Sequence, residues 1–251
     1  MPKSEDSRFK AAERFADLKV EAPFIVRVDG WHFHSFTKER GFTKPFDQKL
    51  SDFMASSAMS VFTPFKPRFA MTHSDEASFL FTDTVFDRVE KLDSLVAATF
   101  AAAFSVKAGA MASFDARVIP LASMADAVDY FVWRQQDCKR NFAYAWADSV
   151  LQTREGLSPA VAAKRLKGMN EGRQRLLCSG YGMELDLAPS WEQFGLSAWW
   201  EKYMKKGYNP ITKTEVIVER RKVVLAACGD FSAPTGMTAL QNAIQRPITD
   251  R

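Results

Sequence analysis

Short apolar runs in the first half of the chain predict β-strands. The first, Phe24–Val28, is apolar enough to lie inside a sheet, and it leads directly into Asp29 and Gly30. Three further runs predict strands, over residues 69–72, 77–81 and 114–119. Because only the segment 73–76 separates the first two of these runs, they form a predicted hairpin. Acidic residues therefore lie at the end of one strand and at the turn of a hairpin.

Two segments between these strands predict helices. The first has apolar residues at a 3.6-residue spacing and begins near Pro45 and Asp47, which suit a first turn; the apolar positions are Leu50, Phe53, Met54, Ala58, Val61 and Phe62. The second is the mostly apolar stretch 86–106. The resulting order β, α, β, β, α, β is that of the split βαβ, or ferredoxin-like, arrangement, in which helices cover one face of an antiparallel sheet.

The second half of the chain is predicted to be mainly helical. Ser123 with Asp126 three residues later resembles a capping box, which predicts a long helix over about 123–151. A second helix is predicted over about 158–168, where Ser and Pro suit the first positions. The β-branched and basic segment 214–225 predicts a return to strands.

No repeat, linker or change of composition separates the two halves. We therefore predict an α+β fold in which residues 1–122 form one region, and residues 123–251 form a mainly helical, basic region packed on it as a single interlocked unit. The net charge of +4 is concentrated in the second region, since 16 Lys and Arg face 10 Asp and Glu between Arg134 and Lys222. Such an excess fits either solvated helix faces or a polyanionic partner.

Composition places the chain among folded globular proteins, because 47% of its 251 residues are hydrophobic and 25% are charged. The longest apolar tract, 95–106, falls short of the about 20 residues that a membrane helix needs, and the first ten residues lack the apolar core of a signal peptide. Three cysteines without close spacing predict reduced thiols. We therefore expect a cytoplasmic protein without membrane attachment.

The acidic residues at the strand ends predict a site for a divalent cation. If the first strand and the hairpin are neighbours, then Asp29, Asp75 and Glu76 converge, and acids this close repel each other unless a cation lies between them. Carboxylates with few other protein ligands are typical of Mg²⁺ whose coordination is completed by nucleotide phosphates. Two such ions, ~4 Å apart, would clamp a phosphoryl group for in-line displacement. The alternative is that these residues are ordinary turn formers at strand ends.

Neighbouring residues add to the phosphate-binding interpretation. Gly30 allows close approach of the backbone to a triphosphate, and Lys44 adds a positive charge just before a predicted helix. A different interpretation is a zinc site, in which His32 and His34, two apart on one face of an extended segment, join His73. The carboxylate-rich surroundings favour magnesium over zinc.

Several motifs follow one another in a fixed order between residues 24 and 222. They are Val26-Arg27-Val28-Asp29-Gly30-x-x-Phe33-His34-x-Phe36, Phe42-x-Lys44-Pro45-x-Asp47 and His73-Ser74-Asp75-Glu76-x-Ser78-Phe79. Together they closely resemble the tRNA-histidine guanylyltransferase family and its Thg-like relatives, enzymes that polymerise in the 3′-to-5′ direction. Further motifs are similar to the bacterial branch of that family: Phe114-Asp115-x-Arg117, Trp133-Arg134-Gln135-x-Asp137-x-x-Arg140-Asn141, Gly156-Leu157-Ser158-Pro159, Trp200-Glu201-x-Tyr203 and Gly207-Tyr208-Asn209-Pro210.

The resemblance implies a polymerase-like palm in residues 1–122, with Asp29, Asp75 and Glu76 as catalytic residues. It implies two Mg²⁺ held by Asp29, the Gly30 carbonyl and Asp75, and GTP and ATP as substrates. The implied nucleotide-binding residues are Gly30, Trp31, His32, Phe33, His34, Lys44, Asp47 and Ser74. The implied contacts with RNA or a triphosphate are Arg134, Lys139, Arg140, Asn141 and Tyr144. The implied partners are tRNA or another 5′-phosphorylated RNA, nucleoside triphosphates and, in a homotetramer, further copies of the chain.

The chain departs from the family pattern at one place. Eukaryotic members carry His-Ile-Asn in the long helix, whereas Lys139 and Arg140 occupy the first two positions here and Asn141 remains. This difference favours template-dependent repair of RNA 5′ ends over guanylylation of histidine tRNA. In the family reaction ATP activates a 5′-monophosphate end, and the 3′-hydroxyl of an incoming nucleotide then displaces AMP. Both steps need charge neutralisation and alignment more than a protein base.

Two other functions are compatible with the sequence alone. One is a palm-type enzyme that acts only on free nucleotides, such as a cyclase or a synthase of a nucleotide signal; incubation with nucleotides, with and without RNA, distinguishes it. The other is a non-catalytic RNA-binding module. Such a module has no need of Asp29, Asp75 and Glu76, so their joint presence argues against it.

Overall fold

The structure is a computed structural model that describes residues 6–83 and 86–245. Residues 1–5 and 84–85 of the first predicted region, and residues 246–251 of the second, lie outside the described residues. The elements in chain order are α1 (Asp6–Ala12), β1 (Phe24–Gly30), α2 (Phe33–Glu39), α3 (Gln48–Phe65), β2 (Phe69–His73), β3 (Glu76–Phe81), α4 (Val89–Ala108), β4 (Phe114–Pro120), α5 (Met124–Arg154), α6 (Pro159–Leu166), α7 (Glu171–Ser179), a 3₁₀-helix (Leu185–Leu187), α8 (Ser190–Phe194), β5 (Leu196–Asn209), β6 (Thr214–Ala227) and α9 (Pro234–Gln245).

The strands of the described chain form one antiparallel sheet in the order β4-β1-β3-β2-β5-β6. The order of the first four strands is that of the ferredoxin-like arrangement, which confirms the predicted fold class. Strand β1 lies between β3 and β4, so Asp29 pairs with Glu76 on one side and with Asp115 on the other. The predicted neighbourhood of β1 and the hairpin is therefore confirmed.

Both faces of the sheet are covered, and the side chains of β1 alternate between them. Phe24, Val26 and Val28 pack in a core with α3 and α4, as expected for the helices of the first half. Ile25 faces the opposite side, where it packs with residues of α5 and α9. The second half of α5 forms a third apolar cluster with α6 and α7. The end of β1 that carries Asp29 is thus supported from both faces.

The predicted helices are present with shifted ends. Helix α3 begins after Asp47, whose carboxylate accepts a hydrogen bond from the Leu50 amide, and α5 begins after Ser123 with the predicted capping box. Helix α4 begins at Val89 rather than 86, and α5 continues to Arg154. Both differences are at helix termini, where sequence periodicity carries the least information.

Two differences from the sequence prediction concern α2 and β5; the short helices α1, α7 and α8 were not predicted either. Residues 33–39 form α2, so the predicted extended segment with His32 and His34 on one face is wrong. Strand β5 was not predicted, because lysines and a glutamate interrupt its apolar pattern. Only its residues 196–199 pair with β2, while the rest pairs with β6 as an exposed two-stranded arm. Strand β6 agrees with the prediction. After Phe194 the second half continues as β5 and β6 and then as helix α9, which was not predicted.

No helix within the described ranges is both long and apolar enough to cross a membrane. The three cysteines are buried and are not joined by disulfides, which agrees with the prediction of reduced thiols. Burial raises the pKa of the Cys228 thiol to about 12 and also raises the pKa of Cys138. These thiols are therefore protonated at neutral pH.

Candidate active site

Three acidic residues meet at the edge of the sheet where β1 ends and the β2–β3 hairpin turns. Asp29 pairs with Glu76 across β1 and β3, and the Gly30 amide donates a hydrogen bond to the Asp75 carbonyl over 3.0 Å. Ser74, in the turn, has a φ of 54° and is in the left-handed region. Asp29, Asp75 and Glu76 line one cavity of about 430 Å³. The structure therefore brings together the acids that the sequence singled out.

Asp29 and Asp75 have an excess of negative charge between them. Burial raises the pKa of Asp75, and the charge of Asp29 raises it further. The Ser74 hydroxyl donates to Asp75 over 3.1 Å, and a half-exposed arginine, Arg117, lies 3.8 Å from the Asp29 carboxylate. No basic side chain within the described part of the chain forms an ion pair with Asp75. This pair of carboxylates is the strongest candidate for binding a cation.

Glu76 has a different environment. The Arg134 guanidinium donates to both of its carboxylate oxygens, over 2.9 and 2.7 Å, and the Arg27 Nε lies 3.9 Å away. Burial raises the pKa of Glu76 although both arginines lower it. Arg134 also binds Asp137 over 3.0 Å. Arg134, which the sequence assigned to RNA or a triphosphate, is thus engaged by carboxylates of the protein itself.

The glycine after Asp29 is required by packing. A Cβ at Gly30 would lie 2.4 Å from the Phe33 ring, which is 4% exposed and packs against Phe104 and Phe114. The absence of a side chain at Gly30 therefore lets α2 begin directly over the end of β1. This position brings the backbone of residues 30–34 close to the acidic edge.

A second cavity, of about 280 Å³, shares Asp75 with the acidic cavity and gathers five of the eight predicted nucleotide-binding residues: Phe33, His34, Lys44, Asp47 and Ser74. The Lys44 ammonium lies 3.4 Å from the His34 Nδ1. The pKa of Asp47 lies below its ordinary value. Burial alone would raise this pKa, but hydrogen bonds from backbone amides, including those of Thr43 and Leu50, lower it by more. The cavity thus offers a cation, a fixed anion and apolar walls to a ligand.

The other three predicted nucleotide-binding residues, Gly30, Trp31 and His32, do not line this cavity. Trp31 and His32 are exposed, and neither lines this cavity or the acidic one. Their rings contact each other edge to face, with centroids 4.1 Å apart. The Trp31 amide donates to the Ser113 carbonyl over 2.9 Å, next to the beginning of β4. The backbone of these residues is near the site, while the side chains face outward.

The remaining predicted contact residues line a groove of about 510 Å³ between α5 and α7. Lys139 is 2.8 Å from Asp230, so its charge is paired. Arg140 is more than half exposed and pairs with Asp137. Asn141 and Tyr144 are exposed. The groove therefore presents polar side chains to solvent, with Arg140 as its most accessible cation.

The histidines do not form a metal site. His73 is buried, its Nε2 lies 2.7 Å from the Glu192 carbonyl, and burial lowers its pKa. His32 ends the turn before α2 and His34 lies within that helix. Across the described ranges, no group of three or more His, Cys, Asp or Glu side chains is arranged to hold a metal ion. A cation at Asp29 and Asp75 would therefore depend on backbone and substrate oxygens as well, which is how Mg²⁺ is commonly bound.

The sequence analysis gave no role to two residues that shape this site. Arg27 stands two residues before Asp29 on β1, so the alternation of a strand already predicts that both face the same side. Asp137 stands three residues after Arg134, which places them together on one face of α5. The local spacing could have identified each pair, but not the contact of Arg134 with Glu76.

Comparisons with known proteins identify the family of this chain. A family model described as tRNAHis guanylyltransferase matches residues 6–122, and one described as the Thg1 C terminal domain matches residues 125–227. The tRNA(His) guanylyltransferase of Schizosaccharomyces pombe is 29% identical over 239 residues, which are 90% of this chain and 91% of that relative. The one of Debaryomyces hansenii is 30% identical over 200 residues, which are 73% of this chain and 75% of that relative.

Solved structures share the fold. A bacterial tRNA(His) guanylyltransferase (Thg1)-like protein in complex with ATP has a TM-score of 0.73 at 22% identity, over 96% of this chain and 99% of that one. The tRNA(His) guanylyltransferase of Saccharomyces cerevisiae has a TM-score of 0.67 at 23% identity, over 75% of this chain and 90% of that one. Since the two family models together span most of the sequence, the chain belongs to the tRNAHis guanylyltransferase family of nucleotidyltransferases.

Proposed function

We propose that this protein adds nucleotides to the 5′ end of tRNA, or of another 5′-phosphorylated RNA, in the 3′-to-5′ direction. The observation that carries the proposal is the pair of carboxylates, Asp29 and Asp75, which lies at the sheet edge beside a cavity lined by Lys44. Membership of a family of nucleotidyltransferases supports the same chemistry.

The reaction consists of two phosphoryl transfers. In the first, the 5′-phosphate of the RNA attacks the α-phosphorus of ATP, which forms an adenylylated end and releases pyrophosphate. In the second, the 3′-hydroxyl of an incoming nucleoside triphosphate attacks the RNA 5′-phosphorus, which forms a 3′-5′ phosphodiester bond and releases AMP. If the RNA end is a triphosphate, the first step is unnecessary and pyrophosphate leaves in the second. The protein must align the phosphates and offset their charge.

The residues at the sheet edge fit the binding of Mg²⁺. The burial and mutual repulsion that raise the pKa of Asp75 are the conditions that a bound cation offsets. We assign Asp29, the Gly30 carbonyl and Asp75 as the protein ligands of two ions. When bound, such ions supply the positive charge that stabilises the transferring phosphate.

The incoming nucleotide is assigned to the cavity of about 280 Å³. Lys44 is placed to bind its phosphates, because a lysine is a mobile point charge that matches a triphosphate. Asp47 is fixed by backbone hydrogen bonds and ionised at neutral pH, so it can accept hydrogen bonds from a base. Phe33 forms part of the apolar wall.

We further propose template-dependent repair of 5′ ends as the main activity. Lys139 stands where eukaryotic members have histidine, and it is paired with Asp230 rather than free to select a tRNA. Base pairing with the opposite RNA strand would then select the incoming nucleotide. The homotetramer and the cytoplasmic location stay predictions, and multi-angle light scattering tests the first of them.

The proposal is tested by incubating the protein with labelled nucleoside triphosphates, with and without a 5′-phosphorylated tRNA that lacks one paired 5′ nucleotide. We expect RNA-dependent extension at the 5′ end, mapped by nuclease digestion, together with release of AMP. As a matched control, Asp115→Asn should keep its activity, because Asp115 is a neighbour of Asp29 on β4 but does not line the acidic cavity. A product formed from nucleotides alone would instead indicate an enzyme of free nucleotides.

A further inference from the structure

The charged groups around the acidic cavity are not balanced. Its ionised lining comprises four carboxylates and two guanidinium groups, which leaves a formal surplus of two negative charges: Asp29, Asp75, Glu76 and Asp137 against Arg27 and Arg134. Both arginines lie close to Glu76, so they do not compensate the four carboxylates equally. Arg117, 3.8 Å from Asp29, and Arg140, which pairs with Asp137, lie outside this lining and are more than half exposed. Asp29 and Asp75 are therefore the least compensated carboxylates of the cavity, and Asp75 has no ion pair with a basic side chain of the described residues.

Arg134 makes the best-defined of these contacts. Its Nε and one terminal nitrogen bind the two Glu76 oxygens over 2.9 and 2.7 Å, and its other terminal nitrogen binds Asp137 over 3.0 Å. The side chain is only 11% exposed and its guanidinium lies over the Trp133 ring, 4.7 Å from the centroid. A two-pronged contact of this kind fixes both the plane and the charge of a carboxylate.

Arg27 reinforces the same carboxylate from the adjacent strand. Its Nε is buried, has no hydrogen-bond partner among the described residues, and lies 3.9 Å from Glu76. Glu76 pairs across the strands with Asp29 and therefore faces the same side of the sheet. Without its arginines, Glu76 would be a third acid free to turn toward the cation.

We propose that Arg134 is a positioning residue that neutralises Glu76 and holds its carboxylate away from the cation, so that only Asp29 and Asp75 bind it as acids. This inference rests on the proposed function of the same site. It changes the role of two residues: Glu76 is a partner of Arg134 rather than a catalytic residue, and Arg134 acts through Glu76 rather than by touching RNA.

The proposal makes opposite predictions for the two halves of the pair. Glu76→Gln leaves the Arg134 charge uncompensated beside the cation, so affinity for the ion should fall by about tenfold, the order expected for one nearby unit charge in a partly solvated site. Arg134→Met leaves Glu76 with only the more distant Arg27, so affinity should rise while kcat falls. The double variant removes both charges and should return both quantities to within about threefold of wild type.

The experiment measures Mn²⁺ binding by electron paramagnetic resonance on the full-length variants, alongside kcat and the Mg²⁺ concentration for half-maximal rate. Arg134→Lys keeps the positive charge but not the two-pronged contact, so its Mn²⁺ affinity should be unchanged while its kcat falls. This variant also allows the test to be made if Arg134→Met does not fold. Arg175→Met is the control, since Arg175 is likewise bound to two carboxylates but lies on α7, and it should leave Mn²⁺ affinity unchanged.

The outcomes separate the inference from the function on which it rests. Weakened Mn²⁺ binding in both single variants, or a double variant no better than Glu76→Gln, would overturn the role given to Arg134 and make Glu76 a ligand. A wild-type protein that neither binds Mn²⁺ nor transfers nucleotides would overturn the proposed function instead. Removing both charges of a buried ion pair can also restore stability that the single substitutions lose. Restoration of Mn²⁺ affinity in the double variant therefore supports the inference when urea unfolding shows that both single variants are folded.

Discussion

One added carbon at Gly30 tests how the acidic edge is built. In Gly30→Ala the new Cβ would lie 2.4 Å from Cδ2 and 2.6 Å from Cγ of Phe33. The Phe33 ring cannot move outward freely, because it is 4% exposed and its centroid lies 5.3 Å from that of Phe104 and 5.0 Å from that of Phe114. The backbone at residue 30 or the start of α2 must therefore shift.

The expected cost has two parts. Overpacking of this kind lowers the free energy of unfolding by about 1–3 kcal/mol. The Gly30 amide also holds the Asp75 carbonyl over 3.0 Å, so a shift moves the two candidate ligand strands relative to each other. Since misplacement by about 1 Å can reduce rates about a hundredfold, we expect kcat/KM to fall by that order.

The assay combines urea unfolding with nucleotidyl transfer to a truncated tRNA. Phe33→Leu in the Gly30→Ala background should recover part of the lost stability, because the smaller side chain relieves the contact. Gly172→Ala is the control, since a Cβ there meets nothing closer than 3.7 Å and alanine is favoured over glycine in a helix, so stability should be unchanged or slightly raised. A Gly30→Ala protein as stable and as active as wild type would refute the packing argument.

Three further predictions follow from the same structure. Asp47→Ala should lower the free energy of unfolding by about 1 kcal/mol at pH 7, because it removes the N-cap of α3. The pKa of Asp47 is depressed in the folded state, so urea unfolding should show that the stability difference between variant and wild type shrinks as the pH falls through that pKa. Arg140→Ala should flatten the dependence of log RNA affinity on log salt concentration by a slope of about one unit or slightly less, and Lys139→Ala should flatten it less, because Lys139 is paired with Asp230. Equal slopes in both variants and in the wild-type protein would show that RNA binds to another surface. In steady-state kinetics, kcat/KM should be higher for repair of a 5′-truncated, template-paired tRNA than for addition of guanosine to intact histidine tRNA. The reverse preference would contradict the proposal that base pairing selects the incoming nucleotide.

Much of the site could be predicted because its residues stand at the ends of strongly patterned strands. The apolar run before Asp29 and the hairpin around Asp75 fix which strand ends meet, and the order of elements fixes that β1 and β3 are neighbours. Asp47 was predictable for a similar reason, since it directly precedes an amphipathic helix. Local spacing carries this kind of information.

Contacts between distant elements could not be predicted in this way. Arg134 and Glu76 are separated by a helix, a strand and a connection, and only the packing of α5 on the sheet brings them together. The family resemblance made Arg134 a predicted contact with RNA or a triphosphate, whereas the structure shows its guanidinium bound to Glu76 and Asp137 at the acidic cavity. Strand β5 was missed because its outer half is an exposed arm, where charged residues replace the apolar alternation.

The most direct test of the account is single-turnover transfer to a triphosphorylated tRNA that lacks one paired 5′ nucleotide, a substrate that needs no activation by ATP. The account predicts that wild-type protein adds one nucleotide at the 5′ end and releases pyrophosphate. Asp29→Asn and Asp75→Asn should each reduce that rate by about a thousandfold while keeping the fold and the RNA affinity. A folded variant of either residue that reacts at the wild-type rate would contradict the assignment of these two carboxylates.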